Sequence, residues 1–354
     1  MKYSERPLWR NVNLGGETKK EIEQGRPAHE NIQSAEDLAR EFEKHRQKRV
    51  KTDTVEVAQK NIEEIQFIGL ISMFIAQERK ELGLEPGFYI PLERVRLFHH
   101  EVWDSLGKSR GVYLRQAVGL YDPLRDIIDV KRYPDRSSFG HFANLAHELQ
   151  HQASYFETDL ATGHLVSKSG YENADGTGRA LNEALTEEPV HEMLERHKFT
   201  ICEQFDVDTL KSWDNGMLFG LGKAYDSYRT TVKAVVAEVD KKLYSDEKQT
   251  WKNLKRGYYS GDNKALEDIR SVWGMDAYQL LMAMGNASLF EFEKYIADCN
   301  VKRSSPIESL ERAQYLIELN IQRYFTNELD QSDVQRTRLL QDTLQYVKDT
   351  TYEK

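Results

Sequence analysis

The sequence predicts an α+β fold: a small mixed or antiparallel sheet with an amphipathic helix packed on it, followed by a mainly α-helical C-terminal lobe. Three observations predict it. β-branched and aromatic runs separated by turn signals fill about residues 94 to 133. A segment of helical period follows from Asn144 to Phe156. From about Thr186 onward nearly every stretch repeats its apolar residues at helical spacing.

Residues 1 to 55 are rich in Glu, Lys, Arg and Gln and read as a polar N-terminal arm, partly helical around "AEDLAREFEKHRQ". From Val55 to Leu84, Val57, Ile62, Ile65, Ile68, Leu70, Ile71 and Phe74 mark a long amphipathic helix closed by Gly83. The period then changes. "RVRLF" (94–98), "GVYLRQAVGLY" (111–121) and "IIDVKRY" (127–133) read as strands, with "DPLRD" a turn between the last two. The expected domains are the arm at 1–55, a core domain at 56–200 and a helical lobe at 201–354. Within the lobe "YYSGDN", "VWGMD" and "KRSSPIE" are turn signals, and Asp262 and Asp276 suit N-cap positions.

A chain of 354 residues has length for about two packed units. Its 39% hydrophobic and 30% charged residues fit a folded protein rather than a disordered or membrane one. A net charge of −9 argues against a nucleic-acid surface, and the one basic run, Lys44 to Lys51, follows acidic "EDLAREFE" and reads as a solvated helix face. The apolar run Phe67 to Ala76 is far short of the roughly twenty residues a bilayer crossing needs. Charges and Pro7 interrupt any secretory core near the N-terminus, and Cys202 and Cys299 have no paired spacing. The expectation is a cytoplasmic protein with reduced thiols, no nucleic-acid partner and no membrane partner.

The chemistry concentrates in "NLAHELQHQASYF", residues 144 to 156. At about 100° per residue, with His147 at 0°, His151 falls at about 40°, Asn144 at about 60° and Glu148 at about 100°. Phe142, Leu145, Leu149, Ala153 and Phe156 fall together on the opposite side. Side chains at i and i+4 are neighbours on a helix, so two imidazoles here can reach one Zn²⁺ at about 2.0–2.1 Å. Glu148, a quarter-turn aside, is placed to take a proton from water activated by that metal. Downstream, "GRALNEALTEE" (178–188) is a second amphipathic helix with Glu183 and Glu187 on one face. One carboxylate can complete the metal site, and the other can support a ligand through a hydrogen bond.

"HELQH" followed by "NEALTE" resembles the gluzincin branch of zinc metallopeptidases, of which thermolysin is the familiar member. That resemblance covers about residues 85 to 200 and implies a zincin-like fold binding one Zn²⁺ per chain. It implies His147, His151 and Glu183 as zinc ligands, Glu148 as general base, and Glu187 as the carboxylate that orients a ligating histidine, where thermolysin has an aspartate. The metzincin pattern is disfavoured, because "HELQHQASYFETD" lacks the glycine and third histidine of that group. In zincins an edge strand before the active-site helix pairs with extended substrate, and "RDIIDVKRY" occupies the matching place.

Such chemistry uses a Tyr or His donor to the oxyanion. Tyr171 and Tyr225 are the candidates, while Tyr228 continues the apolar stripe of Val232, Val235 and Val239 and reads as core. His99, His100, His164, His191 and His197 have no partner spacing. The expected function is therefore hydrolysis of peptide bonds in a protein or peptide substrate. The alternatives are a catalytically silent zinc-binding interaction protein, or a dedicated prophage, toxin or regulatory protease with a single substrate.

Overall fold

The computed structural model describes residues 13–14, 56–85, 87–110, 117–123, 126–132, 138–161, 164–173, 176–205, 219–286, 315 and 318–328. The chain is mixed α and β, mostly helical with small sheets. It divides into two compact units, residues 1–170 with 189–221 and residues 171–188 with 222–354. This partition differs from the three expected segments, because residues 171–188 group with the helices that follow 222. The expected N-terminal arm falls outside the described residues except for strand β1 (Asn13–Leu14).

In the first unit, helix α1 (Ile62–Glu81) starts later than its apolar pattern. The Asn61 side chain accepts from the Glu64 N–H at 2.8 Å while the Glu64 carboxylate accepts from the Asn61 N–H at 2.8 Å. This reciprocal cap sets the start, and upstream Ala58 instead bridges to Leu97. Gly83, at φ 73, ends the helix as the sequence indicates.

Strands β2 (Val95–His99), β3 (Gly119–Asp122) and β4 (Ile127–Arg132) form one sheet in the order β2-β4-β3. β2 and β4 are parallel, and β3 and β4 are antiparallel, so the sheet is mixed. The expectation that 127–132 is the edge strand is corrected: β4 lies in the middle, and among the described residues β3 is an edge beside it. Ile127, Ile128, Asp129 and Val130 are all buried, the near-continuous burial of a central strand. Arg96 on β2 holds Asp129 on β4 through two hydrogen bonds of 2.8 and 3.1 Å, which satisfies a carboxylate with no solvent access. Helix α2 (His100–Arg110), which the strand reading passed over, sets Trp103 and Leu106 against Phe98 of β2.

Helix α3 (Ser138–Ala153) packs on β3, β4 and α1, with Phe142 stacked on Phe67 of α1 at 4.5 Å. It ends three residues before Phe156, which opens strand β5 (Phe156–Ala161). β5 and β6 (His164–Ser169) form an antiparallel hairpin, with β1 alongside β5.

In the second unit, the first part of helix α4 (Arg179–Arg196) buries Leu181 and Leu185, and the Thr186 and Tyr258 hydroxyls are 2.9 Å apart. Beyond α5 (Lys198–Phe205) of the first unit come α6 (Phe219–Leu243), α7 (Gln249–Ser260) and α8 (Lys264–Ala283). Asp240 of α6 accepts from the Thr250 N–H at 2.7 Å and so caps the start of α7. Asp262 accepts from the Lys264 N–H at 2.9 Å, beside Asn263 at the N-cap of α8. Asp276 lies inside α8, just past Gly274, whose φ of 83 kinks the helix at the predicted "VWGMD" turn. Among the described residues no helix is long and apolar enough to cross a membrane.

Candidate metal centre

Helix α3 is buried on both faces. Its apolar side is 0–4% exposed at Phe142, Leu145, Leu149 and Ala153, and on the other side Asn144, His147, Glu148 and His151 are 2, 4, 7 and 9% exposed. An ordinary solvated helix face would not enclose this much polarity.

The two imidazoles converge. Nε2 of His147 and Nε2 of His151 are 3.1 Å apart, and the rings meet edge to face at 80°. Two nitrogens bound to one tetrahedral metal at about 2.05 Å are separated by about 3.3 Å, so the pair already has the spacing that a shared cation requires. His147, His151 and Glu183 each offer one ligand atom, and these atoms all lie within 4.8 Å of one another. Two neutral imidazoles and a carboxylate are a donor set suited to a borderline cation such as zinc, and these residues can hold a metal ion.

Glu148 sits on the β3 side of α3. A Cβ built on Gly119 would lie 2.6 Å from Glu148 Cγ and 2.7 Å from Cδ, with Oε1 closer still. Its side chain is thus pressed against the edge strand. Glu187, one turn beyond Glu183 in α4, is 1% exposed.

The two tyrosine candidates part company. The Tyr171 hydroxyl donates to the Leu254 carbonyl at 3.1 Å, the residue is 1% exposed, and burial raises its pKa well above the ordinary phenol value. The expectation that Tyr171 serves as oxyanion donor is corrected: its proton is committed to the α7 backbone. Tyr225 is half-buried with its ring 5.8 Å from that of Tyr228, and it remains the candidate. Tyr228 is core, as expected, with its hydroxyl donating to Glu318 at 2.8 Å.

His197 stacks on Phe74 at 3.6 Å, and burial, then Arg196, lowers its pKa. His99 is exposed, His100 and His191 are half-buried, and the His164 side chain lies outside the described residues.

Two groupings were not read from the sequence. Glu64 of α1 receives Nε of Arg132 at 3.0 Å and stands 2.9 Å from Nε2 of His141, joining the ends of β4 and α3 to α1. Burial works to raise the Glu64 carboxyl, but hydrogen bonds from His141, the Asn61 N–H and Arg132 hold it below the usual carboxylate range. The second is Gly119 beside Glu148. An isolated glycine in a strand pattern is the sequence signal for such a close approach.

Comparison of the chain with protein-family models, with curated proteins and with solved structures gave no significant match.

Proposed function

We propose that this chain is a zinc-dependent metallopeptidase with His147, His151 and Glu183 as metal ligands and Glu148 as general base. The observation that carries the reading is the 3.1 Å approach of the two imidazole Nε2 atoms, with Glu183 offering a ligand atom within 4.8 Å of one from each histidine. Zinc at that position supplies Lewis acidity, which lowers the pKa of water toward about 7 and polarises a carbonyl.

The chain's own groups do the rest. Glu148 accepts the proton of the attacking water and delivers it to the amide nitrogen as the C–N bond breaks. Its place one residue after His147, a quarter-turn aside on the same helix, supports this role. Glu187 is the supporting carboxylate for a ligating histidine, and Tyr225 is the candidate donor to the oxyanion. β3, as the edge strand, takes over the pairing with extended substrate first expected of 127–132.

The test is metal content of purified protein followed by digestion of a peptide library. About one zinc per chain with cleavage supports the reading. Stoichiometric zinc with no cleavage of any peptide, protein or ester favours the catalytically silent interaction protein instead.

A further inference from the structure

Glu148 and Gln152 are four residues apart on α3, and Gly119 and Tyr121 are two apart on β3. These spacings match, because four helical residues advance about 6.0 Å and two strand residues about 6.6–6.8 Å. Helix and strand therefore meet at two successive points.

At one point they are tied through Asp126. Its Oδ1 accepts from the Tyr121 hydroxyl at 3.1 Å and from Gln152 Nε2 at 3.2 Å. Asp126 is 2% exposed and adopts a φ of 53, a left-handed conformation that short polar side chains tolerate better than most. At the other point the strand carries no side chain, and the Glu148 side chain fills the volume a Cβ at Gly119 would take. Gly119 is not among the glycines of positive φ, so backbone conformation does not demand it. Space for Glu148 does.

We propose that Gly119, with the Tyr121–Asp126–Gln152 tether, is a positioning device for Glu148: the tether draws β3 onto α3, and the missing side chain leaves one pocket for the carboxylate. This rests on the reading of Glu148 as general base. Gly119 and Tyr121 act through Glu148 and touch no substrate in this scheme.

The experiment is a double-mutant cycle of Gly119→Ala and Glu148→Ala, read by Tm, zinc content and peptide-library turnover. Alone, Gly119→Ala lowers Tm by several degrees, and in the Glu148→Ala background that penalty disappears because the colliding group is gone. Gly119→Ala retains zinc and KM while kcat falls at least about 100-fold, the cost of misplacing a reacting group by about an ångström. Tyr121→Phe lowers kcat in the same direction by less. If Gly119→Ala alone does not fold, a folded double variant shows the same coupling.

An equal Tm penalty in both backgrounds, or an unchanged kcat in Gly119→Ala, overturns the proposal. A wild type that binds zinc but cleaves nothing defeats the peptidase reading, and the Tm cycle still decides whether Gly119 makes room for Glu148.

Discussion

His147 and His151 bring their Nε2 atoms to 3.1 Å on a helix with no solvated face. Without a cation, one neutral ring can donate to the other, but both lone pairs cannot point into the same space without repulsion. A metal converts that shared space into two bonds. Replacing His147 or Glu183 by alanine should therefore lower zinc content from about one per chain to a small fraction, checked by mass spectrometry of protein prepared without added metal. Full retention of zinc in both variants places the metal elsewhere.

Glu148→Gln keeps the size of the side chain and removes the base. Zinc content should stay at the wild-type level while kcat falls at least about 100-fold, the lower end of a general base's contribution. Turnover in a clean preparation of this variant defeats the assigned role.

Tyr171→Phe distinguishes the first expectation from the structure. Loss of an oxyanion donor costs about 10²–10³ in kcat, whereas loss of the bond to the Leu254 carbonyl costs about 1 kcal/mol of stability. The expected result is a small drop in Tm with kcat unchanged.

The Glu64 network gives stability an acid limb. Because the folded carboxyl is held below its ordinary value of 4.5, its contribution is fully present above that pH and is lost as pH falls through the lower folded value. Glu64→Gln should cost about 2–4 kcal/mol at neutral pH, because Arg132 and His141 then share one neutral amide oxygen in place of a carboxylate. The variant should also show a flatter loss of stability in acid, measured by urea unfolding across pH 3 to 7. An equal acid slope in both proteins assigns that limb to other carboxylates.

Gly257 allows no side chain, because a Cβ there would overlap the Tyr171 hydroxyl and the Asp262 carbonyl. Gly257→Ala is expected to destabilise by about 1–3 kcal/mol, measured by urea unfolding beside Gly69→Ala. A Cβ at Gly69 meets nothing within 4 Å, and that helical position should gain slightly in stability.

The sequence by itself determined the helix carrying His147, Glu148 and His151, the second helix with Glu183 and Glu187, the strands near 95–99 and 127–132, and the breaks at Gly83 and Gly274. Each is a local matter: helical period, β-branched runs and glycine at positive φ act over a few neighbouring residues. The start of α1 at Ile62 rather than Val55 is local as well: an asparagine and a glutamate three residues apart cap each other there, a signal that the apolar pattern overrides in a reading by periodicity. Tertiary structure alone decided that β4 is central, since its second partner, β2, pairs Val95 with Ile128 across thirty-three residues of sequence. It placed the Tyr171 hydroxyl on a carbonyl eighty-three residues away. And it put Gly119 against Glu148, a demand for empty space that is met by what a residue lacks and leaves only a glycine to mark it.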